Sequence, residues 1–411
     1  MKKIMTLLFL SIGIFLAGAA HVDAATADAV EINAGTFPDN ILRAYVLENI
    51  DTNKDKILQK EEAAAVTKLS FQKFMEPDDW DDEEEGEYPH YTKEDFTFDC
   101  KGLERFTNLI TLEINLNGGV TDDNVEYPVK VINENFLYRL KNLKHLDICE
   151  MNLKSFDCSK FPKLESLDLA RFQELEKITF KGNNSLKELW LSDSLKLSKV
   201  DVSSLGKLTN LRLQALDNIK EVQFGKKNKA LKELWIDHYS NEYCKKLKSL
   251  NLSKLTGLKK LGVEYVKNLK RLDTSRNKNL RYVYVAECSK IKKFTPKKNK
   301  KLTEVSISDC KSFKTLDLSA NHKLSWLQLE GKQIKTIRLS KKNKLSYFRY
   351  ANAGLKKFNV KNINVKTLKD LQLYGNKLKK VNVSKYKKLQ SLDVDQGVKV
   401  IGRRKKTSVY R

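Results

Sequence analysis

A six-residue pattern that recurs along most of the chain constrains the fold more than any other feature of the sequence. Thirteen segments carry apolar residues at their first, fourth and sixth positions, most of them at intervals of 21–23 residues. The segments are LITLEI at residue 109, LKHLDI at 143, LESLDL at 164, LKELWL at 186, LTNLRL at 208, LKELWI at 231, LKKLGV at 258, LRYVYV at 280, LTEVSI at 302, LSWLQL at 324, LSYFRY at 345, LKDLQL at 368 and LQSLDV at 389. Alternation at the fourth and sixth positions is typical of a strand with one buried face, and the short interval excludes a long helix. Each repeat therefore predicts one coil of a parallel-stranded solenoid.

A second apolar triplet lies about midway between successive segments, for example at residues 200, 250, 316 and 381. These triplets predict a second short strand in each coil, on the other side of a flattened core. Serine and asparagine residues follow them, as at Asn277 and Asn321. Such side chains bond backbone groups at tight corners, so we predict that role for them here.

The repeat resembles the bacterial 21-residue leucine-rich-repeat class called IRREKO, whose pattern is LxxLxLxxNxLxxLDLxxNxx. The resemblance covers roughly residues 98 to 396, with frequent loss of the first asparagine and with long repeats starting at residues 109 and 231. It implies a mainly β leucine-rich-repeat solenoid with parallel strands on two sides of each coil. A solenoid needs covered ends, and we expect a small helical N-terminal cap in residues 25–75.

The predicted cap contains a loop that matches an EF-hand. A helix is predicted from Pro38 onward, and a twelve-residue loop follows it. The predicted calcium ligands are Asp51, Asn53, Asp55, the carbonyl of Ile57, and Glu62. Lys56 stands where this loop favours glycine. The segment resembles the FPDxxFRxYV…DxxxDGxLSxxE segment that precedes repeats in many Gram-positive surface proteins. Two interpretations remain open, a calcium site and a loop that only joins two cap helices.

Three further segments complete the predicted organisation. Residues 1–24 resemble an export signal, with two lysines, an apolar run and then small residues, and the run is short of the roughly 20 residues of a membrane span. Residues 76–97 form an acidic insertion with nine carboxylates between positions 76 and 87. A solvated insertion is the expected state of this segment, with metal capture or a clasp on a basic partner as alternatives. Residues 397–411 are expected to form a basic C-terminal tail.

The six cysteines are scattered along the chain rather than packed as a small disulfide framework. Cys288 and Cys310 occupy the same position in successive repeats, so they should lie side by side. A disulfide is one interpretation of this pair. Two buried, small apolar residues are the favoured one.

The side chains that point away from the core are those two, four and six residues after each opening residue, and we call these positions the repeat face. They hold three cations, Arg212, Lys260 and Arg349, although the chain as a whole has a net charge of +25. The twelve carboxylates of the repeat face are Glu113, Asp147, Asp168, Glu188, Glu233, Asp237, Glu264, Glu304, Glu330, Asp370, Asp393 and Asp395. The lysine excess is therefore predicted on the corners and back of the coils.

Aromatic residues are also concentrated on the repeat face. The predicted ligand-binding residues are Trp190, Arg212, Trp235, Tyr282, Tyr284, Trp326, Tyr347 and Tyr374. Because neighbouring strands lie about 4.8 Å apart, Arg212 is predicted to stack between Trp190 and Trp235. The stack either contributes to ligand binding or only stiffens the sheet.

These features favour a secreted or cell-surface recognition or adhesion protein that binds a protein or peptide through a concave, acidic, aromatic-rich sheet. The basic back would hold it to an anionic cell-envelope polymer. A glycan-binding module that uses the same aromatic residues and a structural envelope protein are the alternatives. Binding of a charged protein should depend on salt, and binding of a sugar should not.

No enzyme activity is predicted, and no catalytic residues are assigned. The sequence shows no Ser-His-Asp or Cys-His arrangement, zinc-ligand spacing or phosphate-binding glycine loop. Its five histidines are isolated, and His145 and His238 are expected to be surface residues. The predicted export argues against nucleic acid as a partner, and no transmembrane span is expected after the export signal.

Overall fold

The computed structural model describes residues 29–73, 97–116, 129–239 and 244–411. The predicted export signal and the acidic insertion up to residue 96 lie outside the described residues. The chain divides into two compact units, Met1–Lys196 and Leu197–Arg411. Each unit is built from coils with short parallel strands, so the chain is a mainly β solenoid.

The first unit begins with two helices, α1 (Asn40–Asn49) and α2 (Lys60–Ala65). Helix α1 starts after Pro38, because the Asp39 carboxylate caps it by accepting hydrogen bonds from the amides of Ile41 and Leu42. The strands of this unit are β1 (Val30–Glu31), β2 (Ile57–Leu58), β3 (Lys68–Lys73), β4 (Thr97–Asp99), β5 (Thr111–Leu116), β6 (Lys130–Ile132), β7 (His145–Cys149), β8 (Ser155–Asp157), β9 (Ser166–Ala170), β10 (Lys177–Thr179) and β11 (Glu188–Ser192).

The repeat segments of the first unit form a parallel main sheet in the order β3, β5, β7, β9 and β11. Strand β3 precedes the first repeat, so the cap region contributes a strand to this sheet. Strands β4 and β6, and likewise β8 and β10, pair in separate two-stranded parallel sheets. Strands β1 and β2 pair antiparallel and join the EF-hand-like loop to the start of the described chain.

The second unit repeats this arrangement. Its strands are β12 (Lys199–Asp201), β13 (Asn210–Gln214), β14 (Glu221–Gln223), β15 (Glu233–Asp237), β16 (Lys260–Glu264), β17 (Arg271–Leu272), β18 (Tyr282–Ala286), β19 (Lys293–Phe294), β20 (Glu304–Ser308), β21 (Thr315–Leu318), β22 (Trp326–Glu330), β23 (Thr336–Leu339), β24 (Tyr347–Ala351), β25 (Asp370–Gln372), β26 (Lys380–Asn382), β27 (Ser391–Asp393), β28 (Lys399–Ile401) and β29 (Ser408–Tyr410). The main sheet runs β13, β15, β16, β18, β20, β22, β24, β25, β27 and β29. The second strands pair as β12–β14, β17–β19, β21–β23 and β26–β28.

The C-terminal segment differs from its prediction as a tail. Strand β28 pairs with β26, and β29 pairs with β27, both in parallel register. The coils thus continue to Tyr410, past the predicted boundary at residue 396. Val400 and Val409 keep the apolar alternation at the centre of these two strands, which the basic composition of the segment obscured.

The apolar repeat positions form the core, as predicted. In the repeat from residue 280, Leu280 and Val283 are fully buried and Val285 is 3% exposed. Burying a leucine or valine side chain contributes about 1.5–3 kcal/mol, and each coil repeats such a set. The predicted small apolar pair is buried too, because Cys288 and Cys310 are both fully buried free thiols. Burial raises the pKa of Cys288 well above its ordinary value.

Buried asparagines hold the corners of the coils, which confirms the prediction made for Asn277 and Asn321. The Asn277 amide donates to the carbonyls of Leu252 and Leu255, at 2.9 and 2.7 Å. Asn183, Asn228, Asn299, Asn321 and Asn343 likewise donate to two backbone carbonyls. Each amide satisfies carbonyls that a tight corner would otherwise leave buried without a partner.

Candidate functional site

Pairs and clusters of aromatic side chains occupy the repeat face of the second unit. The Trp326 and Tyr347 rings stack with centroids 3.5 Å apart and planes 7° from parallel. Trp235 contacts both Tyr282 and Tyr284, with centroid distances of 6.0 and 6.3 Å. Trp326 is 40% exposed, so the first pair presents an open aromatic surface to solvent.

A glycine makes room for Trp235. Gly262 is its register partner on β16, and a Cβ atom at residue 262 would lie 2.0 Å from the indole ring. The indole therefore lies flat across the backbone of the next strand. The Tyr284 hydroxyl donates to Glu264 at 2.7 Å, which fixes the adjacent tyrosine. The cluster is thereby held in one arrangement before any ligand binds.

The predicted ligand-binding residues Trp190, Arg349 and Tyr374 lie elsewhere on the repeat face. The Arg349 guanidinium lies over the ring of Tyr374, with its central carbon 4.9 Å from the ring centroid. Trp190 is 38% exposed on the main sheet of the first unit, where Asp168 is its register partner. Because Trp190 belongs to the first unit and Arg212 to the second, the predicted three-residue stack stays a prediction.

The prediction that Asp237 is exposed is wrong. Asp237 is 5% exposed, and the Arg212 guanidinium forms an ion pair with it at 3.2 Å. Burial raises the pKa of Asp237, although Arg212 opposes that shift. The sixth offset is the last residue of β15, at the end of the strand, so alternation alone does not ensure exposure.

Every cation of the repeat face in the second unit is paired with a carboxylate. Arg212 pairs with Asp237, Lys260 pairs with Glu233 at 2.9 Å, and Arg349 pairs with Glu330 at 2.9 Å. Five further carboxylates form no ion pair with any described residue, namely Glu264, Glu304, Asp370, Asp393 and Asp395. Burial raises the pKa of three of them, Glu264, Asp370 and Asp393. The face thus retains uncompensated negative charge beside its aromatic residues.

The two histidines near the main sheets differ in exposure. His145 is exposed on β7, as predicted. His238 was expected on the surface, but it is 5% exposed and its Nε2 atom lies 2.6 Å from Asp217. Its Nδ1 atom accepts a hydrogen bond from the amide of Tyr239 at 2.9 Å. These contacts give His238 a structural role in the long repeat that starts at residue 231.

The polar side chains of the EF-hand-like loop form most of their hydrogen bonds within the loop. Asp51 is buried, and one carboxylate oxygen accepts from the Lys56 amide at 2.9 Å while the other has no hydrogen-bond partner. Asn53 and Asp55 accept from the amides of Asp55 and Ile57. The Glu62 carboxylate accepts from Thr52 and Gln59. No three His, Cys, Asp or Glu side chains in the described ranges are grouped closely enough to hold a metal ion. Calcium binding at Asp51, Asn53, Asp55, Ile57 and Glu62 stays a prediction.

Lys56 adopts the left-handed conformation that favours glycine, with φ of 64°. We expect Lys56→Gly to stabilise the loop by about 1 kcal/mol, because a side chain in this conformation is strained by about that amount. Hydrogen exchange of the amides of residues 51–62 should slow accordingly. The control is Lys60→Gly in α2, which should speed exchange because glycine costs a helix about 1 kcal/mol. Equal behaviour of the two variants would show that Lys56 is not strained.

Within the described ranges, no helix is both long enough and apolar enough to cross a membrane.

Comparisons with known proteins find similarity to solved structures of leucine-rich-repeat proteins. No protein-family model matches it, and no curated protein does either. An internalin (inlF) from Listeria monocytogenes is 16% identical, with 93% of this chain and 97% of that chain covered and a TM-score of 0.48. The functional domain of InlJ from the same organism is 18% identical, with 91% and 77% covered and a TM-score of 0.37. A leucine-rich-repeat protein of Leptospira interrogans is 18% identical, with 75% and 91% covered and a TM-score of 0.40.

Proposed function

We propose that this chain is a secreted or cell-surface recognition or adhesion protein that binds a protein or peptide through the repeat face. The observation that carries the proposal is the exposed Trp326–Tyr347 stack beside carboxylates that lack cationic partners. Binding hot spots are enriched in tryptophan and tyrosine, and preordered rings lose little conformational entropy on binding. A flat, rigid and charged aromatic surface of this kind suits a macromolecular partner with a basic surface.

Lysines on the second strands of the coils support the proposal that an anionic envelope polymer retains the chain. Several of them begin with an exposed lysine, namely Lys130, Lys177, Lys199, Lys293, Lys380 and Lys399. These lysines recur at one position of the coil, away from the repeat face. Such a basic surface attracts polyanions, and we propose a teichoic-acid-like or similar anionic polymer as the class of partner there.

The proposal is tested with the double variant Trp326→Ala/Tyr347→Ala. The wild-type chain is first used to capture secreted and surface proteins. Each captured partner should bind the variant about 30-fold more weakly, because loss of a hot spot costs about 2 kcal/mol or more. Affinities are measured by surface plasmon resonance on each captured partner. Raising the salt concentration from about 0.05 to about 0.5 M should weaken binding further, because surface charge is screened.

The matched control is Tyr239→Ala, which removes an aromatic side chain that is 48% exposed outside the repeat face. Partners that bind both variants equally well would show that the aromatic stack is not the binding site. If the double variant loses a glycan that the wild-type chain binds equally well at low and high salt, the glycan-binding alternative is favoured. A chain that captures nothing specific in either form would favour a structural envelope protein.

A further inference from the structure

A cleft lies between the two aromatic groups on the repeat face of the second unit. Its volume is about 300 Å³, and it is lined by Tyr282, Tyr284, Glu304, Ser306, Trp326 and Gln328. Strand β20 forms its floor, with β18 on one side and β22 on the other. Ser306 on this floor has a short side chain that is 7% exposed, so the space above it, between the longer side chains of the neighbouring strands, stays open.

The spacing of the cleft walls suits one planar group. Tyr282 and Trp326 are both register partners of Glu304, one on each side. The strands that carry the two walls are therefore two strand spacings apart, or roughly 10 Å. A planar group that contacts a ring on each side needs about 7–8 Å between the rings. The spacing of the strands thus leaves room for one such group between the walls.

Both walls are fixed from behind. Trp326 is backed by the parallel ring of Tyr347, whose hydroxyl donates to the Gln372 side chain at 2.9 Å. Tyr282 and Tyr284 are backed by Trp235. A ligand that enters the cleft therefore does not have to order its walls, which reduces the entropic cost of binding.

Charge selects the kind of planar group. Glu304 lies between the walls and is exposed, and its carboxylate makes no hydrogen bond or ion pair with any described residue. Glu264 lies nearby on β16 and is also without a cationic partner. A carboxylate between two aromatic faces attracts a cation through both the charge and the rings. The guanidinium group is planar, stacks on aromatic rings and pairs with a carboxylate through two hydrogen bonds, whereas an ammonium group is not planar.

We propose that the cleft between Tyr282, Tyr284 and Trp326 binds the guanidinium group of an arginine side chain in a peptide segment of the partner, paired with Glu304. This inference rests on the proposed function and specifies the chemistry of the partner at one point of the repeat face. The rest of the uncompensated face would then favour further basic residues around that arginine.

The test uses the full chain and three matched peptides, acetyl-Gly-Gly-Xaa-Gly-Gly-amide with arginine, lysine or citrulline at Xaa. Citrulline has the shape of arginine without its charge. Binding is followed through the indole N–H resonance of Trp326 in the ¹⁵N-labelled protein. We expect the arginine peptide to bind about tenfold more tightly than the citrulline peptide and several-fold more tightly than the lysine peptide.

Two single variants locate the interaction. Glu304→Gln removes one charge from an exposed residue and should weaken arginine binding about tenfold. Glu221→Gln, an exposed position on the second strand β14 and away from the repeat face, should change it by less than about twofold. Equal binding of arginine and citrulline peptides, or equal effects of the two variants, would overturn the proposal. Binding of neutral oligosaccharides in place of the arginine peptide would also overturn it.

The experiment separates this proposal from the wider one. If Glu304→Gln has no effect but Trp326→Ala/Tyr347→Ala still loses its macromolecular partner, the repeat face recognises a different group. If neither variant changes binding, both proposals fail.

Discussion

Replacing Asn183 with leucine is expected to lower the free energy of unfolding by about 3 kcal/mol or more. Asn183 is fully buried in a corner of the first unit. Its amide donates to the carbonyls of Phe161 and Leu164, and its side-chain oxygen accepts from the amides of Ser185 and Leu186. Leucine has a similar size, so it leaves no space for water but satisfies none of these groups. Each buried backbone group without a partner costs about 1–3 kcal/mol.

The adjacent residue provides the control. Asn184 is exposed, and its side chain makes one long hydrogen bond, to Gly182 at 3.4 Å. Asn184→Leu should change stability by no more than about 0.5 kcal/mol. Urea unfolding followed by circular dichroism gives the comparison, and hydrogen exchange at the Leu186 amide shows whether the loss is local. Similar transition midpoints for the two variants would mean that water or relaxation replaces the Asn183 hydrogen bonds.

The sequence predicted the fold well because the strand pairs of a solenoid join residues that are close together in the sequence. Each strand pairs with the copy about 22 residues away, so one repeat of the pattern specifies both the strand and its register. The offsets placed Leu280, Val283 and Val285 in the core without any knowledge of distant contacts. The same logic failed at the C-terminus, where a high density of lysine and arginine concealed the apolar alternation around Val400 and Val409.

The candidate site was predictable in part. The repeat offsets predicted that Glu304, Tyr282 and Trp326 all lie on the repeat face, whereas their place side by side around one cleft comes from the structure. The sequence could not give the directions in which the rings lean. Trp235 lies across Gly262, which has no side chain, and Trp326 stacks on Tyr347. The rotamer of each ring depends on the side chains of the neighbouring strands, which the repeat offsets do not specify.

A methyl group added at Gly257 is expected to destabilise the second unit by about 3 kcal/mol, the upper part of the range for overpacking. The Cβ atom of an alanine there would lie 2.2 Å from the carbonyl oxygen of Lys229, a backbone atom that cannot rotate away. Lys229 follows Asn228, which is buried and hydrogen-bonded to Val202 and Leu205, so a shift of this carbonyl disturbs the corner.

Gly206→Ala is the matched control for Gly257→Ala, because both glycines lie in turns of this unit. The nearest atom to a Cβ at residue 206 is 3.8 Å away, an ordinary contact. Alanine reduces the conformational freedom of the unfolded chain, so Gly206→Ala should stabilise by about 0.4–1 kcal/mol. The two substitutions add the same methyl group, yet their effects on the urea midpoint should have opposite signs. Stabilisation by both would mean that the coil at Lys229 moves aside, and that close approach between successive coils is not what requires glycine at residue 257.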